Sequence, residues 1–334
     1  MQNQQIRTAT SSLLAACALV ALTSVHSAFA QGALTPPGAP APTMKTLAQI
    51  EPRTPLSAPF TITQPGSYYL TTNIFVASGN AITINTNDVT LDLNGFVVTA
   101  GTAGQGVAVP NAQRNVSVHS GVVRNCPAGG IIASLITGGS FTDLVVSENG
   151  VGGIAVGVNC VVQNCTVVTN VAGISVANGS WVTHCTLYNN GSGISAGSFC
   201  TIAQCLVSSC TTGTGIATGP QSTVRECMSM SNFGNGIAVT DDCRVTDNEC
   251  SYNGANGSSY GINVANTWSR IEGNHMVDNV GSRNLKVASA PNWISRNTVG
   301  GGGFSVAVGN LAGPLLSTSS AVSTNSNPNA NYSF

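Results

Sequence analysis

Charge is what this sequence has least of. Only 7% of its 334 residues are Asp, Glu, Lys or Arg, where an ordinary soluble domain has about 25%. The formal net charge is −1, and no Lys/Arg cluster occurs anywhere. Nothing therefore steers the chain toward nucleic acid or an acidic polymer. Aromatics are also scarce, at 5%. There is no Cys-x-x-Cys pair and no Ser/His/Asp spacing that marks a nucleophile. The one long glycine run, residues 300–303, is followed by neither Gly-Lys-Ser/Thr nor a helical pattern, so it does not read as a phosphate loop. Low charge alone does not mean disorder. Disordered chains are poor in β-branched residues, and Val, Ile and Thr recur through the middle of this one. Cohesion must come from strand packing.

Long apolar runs are missing except at the start. Arg7, the run from Ser11 to Leu22 and the small-x-small site Ala28-Phe29-Ala30 read as an export signal over residues 1–30. The run is too short to span a membrane, and no later one is longer, so no transmembrane segment is expected. The expected destination is secreted or periplasmic. An alternative is a lipid tether through Cys17, because Leu14-Ala15-Ala16-Cys17 resembles a lipoprotein box.

What is present is a repeat. Gly-Ile recurs with Ile131, Ile154, Ile174, Ile194, Ile216, Ile237 and Ile262, at steps of 23, 20, 20, 22, 21 and 25 residues. Leu285 and Phe304 continue the row, and Ile82 and Val107 begin it. A second register runs through Val162, Val182, Ile202, Val224, Val245, Ile271 and Ile294. Cys165, Cys185, Cys205 and Cys227 follow it as one column. A third column holds Asn170, Asn190, Cys210, Asn232, Asn253 and Asn279. One repeat is too short for a helix with its connections and cannot bury its apolar face alone, so successive repeats must stack. The period is half that of a propeller blade, and the leucine framework of a leucine-rich repeat is absent. The expected fold is all-β: a right-handed parallel β-helix, a solenoid of about eleven rungs and roughly 50 Å at the usual strand spacing.

The domain reading is a leader at 1–30, a Pro/Ala-rich lead-in and cap at 31–61, the β-helix at 62–310 and a low-complexity tail at 311–334. Within the lead-in, residues 44–50 allow at most a short helical stretch. Unpaired strand edges at the solenoid ends allow end-to-end self-association. The column asparagines are read as structural, because Asn bonds to backbone and tolerates left-handed corners.

Ten cysteines follow the leader, an even number in an oxidising destination. Disulfides are open to them. So is a stack of free buried thiols, since column neighbours point in parallel. Thiolates in a line do not make a tetrahedral metal site, and none is expected.

Charged residues gather in the C-terminal half. Arg244 and Arg270 are column equivalents, as are Glu226 and Asp247. Under an enzyme reading, Glu226 and Asp247 form the carboxylate pair, Arg244 and Arg270 the cations, and His275 or His184 the proton shuttle. Trp181 and Trp293 have an outward phase and are the sugar-stacking candidates. Under the plain reading these residues form a solvated face with weak ion pairs.

Segments such as Asp88-Val89-Thr90-Leu91-Asp92-Leu93-Asn94-Gly95, and Gly236-Ile237-Ala238-Val239 with Cys243-Arg244-Val245-Thr246-Asp247-Asn248, resemble the parallel β-helix repeat family. That family includes pectin-lyase-like proteins and periplasmic carbohydrate-binding or sugar-hydrolysing domains. Gln64-Pro65-Gly66-Ser67-Tyr68-Tyr69-Leu70 is similar to the lead-in of bacterial secreted members. The resemblance implies either a binding or structural element on a cell surface or matrix, or an enzyme acting on a linear polysaccharide. Lyases of this kind use Ca²⁺-binding aspartates, for which this sequence has no matching cluster. Hydrolases use aspartates on neighbouring rungs, and Asp247 has Glu226 behind it but Gly273 ahead. The expected function is a non-catalytic glycan-binding or structural element without cofactor. The alternative is a lyase, with calcium, or a glycoside hydrolase. The stacking premise has a direct check: Ile174, Ile194 and Ile216 must be register neighbours.

Overall fold

The computed structural model describes residues 51–301, 303–317 and 326–333. The leader, Cys17 and the stretch at 44–50 lie outside the described residues. Everything below concerns the compact unit that begins at Pro52.

The unit is a right-handed parallel β-helix of about eleven turns. A twelve-stranded sheet runs from Phe60–Ile62 to Gly303–Val306 and carries the Gly-Ile repeats. A 24-stranded sheet supplies two further faces. They join where the long strands Val116–Arg124 and Ser140–Ser147 pair with both. The only helical element among the described residues is a 3₁₀ turn at Val280–Ser282.

Ile154, Ile174, Ile194, Ile216, Ile237 and Ile262 register one upon the next, followed by Leu285 and Phe304. The second apolar column, from Val162 to Ile294, does the same on the adjoining face. These isoleucines and valines are fully buried, and each contributes roughly 2 kcal/mol relative to exposure. The glycine before each isoleucine is set by space. A Cβ on Gly193 would lie 2.1 Å from the Gly215 carbonyl oxygen of the next turn and 2.4 Å from Val207 Cγ1.

The asparagines form buried ladders. Asn149 Nδ2 donates to Asn170 Oδ1 at 2.9 Å, and Asn170 to Asn190 at 3.0 Å. Beyond Cys210, Asn232 donates to Asn253 at 2.8 Å and Asn253 to Asn279 at 3.0 Å. Each accepting oxygen also takes the backbone N–H of the preceding turn. Stacked amides thereby satisfy one another in a place where an unpaired amide would be destabilising. A second ladder, Asn248, Asn274, Asn297 and Asn331, continues the cysteine column beyond Cys227. At a third corner serine alternates with cysteine: the backbone N–H groups of Cys160, Cys200 and Cys243 donate to Ser180, Ser222 and Ser269 Oγ.

The ten described cysteines are free and buried. Neighbours in a column are about 4.8 Å apart at Cα, within disulfide reach, but register points their thiols the same way. The thiols of these columns donate to carbonyls, as Cys185 does to Thr183 O and Cys205 to Ala203 O, both at 3.3 Å. Burial pushes Cys126 up to about 11 and Cys210 up to about 12. Such thiols stay protonated near neutrality and are poor nucleophiles.

Pairing extends past the expected limits of 62 and 310 on both sides. Thr54–Leu56 already pairs with Tyr68–Leu70. Pro55 is tolerated there because the first strand of a sheet has only one neighbour. At the other end Leu311–Ala312 pairs with Trp293–Ile294, and Asn331–Ser333 pairs with Thr298–Val299. Within the Ser/Asn-rich tail, Ala330 and Asn331 are thus buried, and Asn331 supplies the last amide of a ladder.

Two outcomes are expected. Gly193→Ala should lower unfolding stability by about 3 kcal/mol, the upper end of overpacking effects, measured by denaturant melts. In thiol titration, the cysteines from Cys126 onward should be silent in the folded protein and all ten should react after unfolding; a result near zero after unfolding would overturn the free-thiol column.

Candidate functional site

The second face carries an open groove of roughly 600 Å³. Its floor is four successive strands: Trp181–Thr183, Thr201–Ala203, Thr223–Arg225 and Arg244–Thr246. Alternation along each strand turns the middle residue into the core and its two neighbours outward. Trp181, Thr183, Thr201, Thr223, Arg225, Arg244 and Thr246 therefore line the groove. Its rim is the corner formed by His184, Gln204, Glu226 and Asp247, all left-handed with φ of 55° to 57°.

The groove thus gathers five of the sequence candidates, Glu226, Asp247, Arg244, Trp181 and His184. Glu226 has both carboxylate oxygens engaged. Arg225 Nη1 lies 2.6 Å from Oε1, and Gln204 Nε2 donates to Oε2 at 2.8 Å. Asp247 occupies the next turn of the same corner, and no side-chain partner is found for it among the described residues. Gly273 follows because a Cβ there would meet Asp247 Oδ1 at 2.3 Å. Arg244 has no ion pair among the described residues.

The other three candidates are placed elsewhere. Arg270 is the register neighbour of Arg244, but its Nε turns back to Glu272 Oε2 at 2.5 Å. Arg296 reaches Oε1 of the same carboxylate at 2.8 Å. His275 lies beyond the corner on the third face, in register with Glu249 and Thr298. Its distance from the groove follows from the corner between Glu272 and His275, which puts the two residues on different faces. His184 is the histidine at the rim. Trp293 shares the outward column of Trp181 but stands five strand steps away. Its Nε1 donates to Ser295 Oγ at 3.0 Å.

Two features were missed from sequence. Glu272 is screened by its two arginine arms, with 9% of its side chain exposed. The hydrogen bond and charge of Arg270, with a smaller share from Arg296, outweigh desolvation and hold its carboxyl below the usual carboxylate range, and Arg270 is raised in return. The signal was the spacing Arg270-x-Glu272, which puts both side chains on one side of a strand. Trp268 is the second, an exposed indole at a corner. A separate cluster on the first turns ties Arg53 to Asp92 at 2.7 Å, with His119 at 3.7 Å from the same carboxylate. Among the described residues, no three His, Cys, Asp or Glu side chains converge as metal ligands. No described helix is long and apolar enough to cross a membrane.

Because the folded value of Glu272 is depressed, its contribution to stability is full above the unfolded carboxylate value of about 4.3 and is lost as pH falls through the folded one. Glu272→Gln should therefore melt below wild type at pH 6, with the gap closing toward pH 3. A gap that did not change with pH would sink the ion-pair account.

Residues 62–201 match the family model described as "Right handed beta helix region". No curated protein matches the sequence. Among solved structures, the mannuronan C-5 epimerase AlgE4 A-module of Azotobacter vinelandii is 13% identical, with a TM-score of 0.47, over 80% of this chain and 76% of that one. The AlgE6 A-module of the same organism is 14% identical, with a TM-score of 0.47, over 80% of each chain. The Dettilon tailspike protein (gp208) is 13% identical, with a TM-score of 0.43, over 84% of this chain and 60% of that one. The strand register and the family match agree: in fold this chain is a right-handed parallel β-helix.

Proposed function

We propose that this is an exported, non-catalytic β-helix whose groove from Trp181 to Asp247 binds a linear glycan of a cell surface or matrix. The observation that carries the reading is the make-up of the groove. An indole 58% exposed stands beside four threonines and an amide, all on strands or tight corners of one sheet. A pyranose has an apolar C–H face and a rim of hydroxyls. The indole suits the first, and Thr183, Thr201, Thr223, Thr246 and Gln204 suit the second. Side chains held on strands lose little freedom on binding, which favours affinity.

The engagement of Glu226 argues against catalysis. A general acid must present its carboxyl to the leaving oxygen, whereas both oxygens of this carboxylate are already taken by a guanidinium and an amide. A second reading, a polysaccharide lyase or hydrolase, is favoured by one observation: Asp247 and Arg244 line the same groove and neither has an ion-pair partner among the described residues. A carboxylate there can take a proton while the guanidinium stabilises developing charge.

A panel of linear polysaccharides, assayed for retention and for products with and without calcium, separates these readings. Retention without cleavage is expected, with Trp181→Ala binding roughly tenfold more weakly, about 1.4 kcal/mol. The double variant Glu226→Ala/Asp247→Ala should fold as wild type. Cleavage by wild type that disappears in this folded variant would overturn the non-catalytic reading. Neither retention nor cleavage across the panel would leave only a structural role.

A further inference from the structure

The chain has three tryptophans, and all three are exposed near one face: Trp181 at 58%, Trp268 at 69% and Trp293 at 42%. Indoles are on average highly buried, and the core of this solenoid is built from Ile, Val and Leu without them. Their placement follows the register. Trp181 and Trp293 occupy one outward column, with Thr201, Thr223, Arg244 and Arg270 between them. That is five strand steps, about 24 Å. Trp268 lies at the corner two residues before Arg270, and Phe199 holds the same corner two residues before Thr201, 59% exposed.

That corner is left-handed, with φ of 61° at Trp268 and 59° at Phe199. Other turns fill it with Asn159, Gly179, Gln221 and Asp242. Asn, Asp and Gly tolerate this region, whereas a bulky aromatic is strained there. Neither ring is covered by the core in return. The aromatics therefore form two stations, Trp181 with Phe199 and Trp268 with Trp293, and the polar groove floor leads from the first toward the second.

We infer that the two stations are the ends of one extended site, and that a glycan lies along the solenoid axis across six turns rather than around a single turn. This rests on the groove reading and adds to it a direction and a minimum length. An extended β-linked hexose unit is close in length to one strand step of ~4.8 Å, so a chain that reaches both stations has on the order of five units. The two stations act as linked binding points: the second adds nothing for a short chain and acts at high effective concentration for a long one.

The test is a fluorescence titration of the full chain with cello-oligosaccharides and with chito-oligosaccharides, both β-1,4-linked, from dimer to octamer. The only indoles are those at the stations, so tryptophan emission reports the site itself. Wild type should show a rise in affinity of roughly tenfold once the chain passes about five units. Trp268→Ala/Trp293→Ala should abolish the length step, so that in this variant the octamer binds no tighter than the trimer. Both side chains are outside the core, so circular dichroism of that variant should match wild type. Octamer binding with no length step, or undiminished in the double variant, overturns the two-station inference and leaves the groove reading standing. Failure of wild type to bind either series removes both.

Discussion

Register stacking at one strand spacing governs this molecule. Each residue meets its own column equivalents about 4.8 Å above and below, so a column must be compatible with itself. Ile on Ile and Val on Val meet that demand by excluding water, and Asn on Asn meets it because a carboxamide is both donor and acceptor. A column of like charges inside would repel itself at every step. The scarcity of charge is thus a consequence of the fold as much as a trait of the surface. The corners obey the same rule: left-handed positions recur turn after turn at His184, Gln204, Glu226 and Asp247.

The repeat was legible because the constraint acts once per turn. The isoleucine row, the apolar row before the cysteines and the asparagine row all appear in the sequence at that period, and each is a column in space. The ends were harder to read. Thr54-Pro55-Leu56 is too short to show alternation, and the Ser/Asn-rich tail looks like low complexity although one of its asparagines closes a ladder. Backbone pairing needs no side-chain pattern, so a terminal strand leaves little trace.

The candidate site was only partly legible, for a related reason. Column counting correctly placed Arg244 beside Arg270 and put Glu226 on the same corner as Asp247. It did not show where a long side chain goes once it leaves the sheet. Arg270 turns back along its own strand to Glu272, and His275 is carried round a corner to another face. Inward columns repeat one residue type, whereas the outward column that runs from Trp181 through two threonines and two arginines to Trp293 does not. An exposed column is free of the demand for self-compatibility that water exclusion makes inside, so its residue types can change from turn to turn.

The asparagine ladders have a polarity. In each, the side-chain N–H of one turn points to the oxygen of the next, so the amide dipoles add head to tail toward the C-terminal end. The starting end always presents an oxygen, and at Asn149, Asn232 and Asn248 that oxygen is met by the backbone N–H of a cysteine, Cys126, Cys210 and Cys227. The finishing end presents a donor, met by a glycine carbonyl at Asn331 and at Asn284, whose Oδ1 accepts from Asn279 Nδ2 at 2.7 Å. The two termini of a ladder are therefore chemically unlike. A turn grafted below one must offer a hydrogen, and a turn grafted above must offer a lone pair.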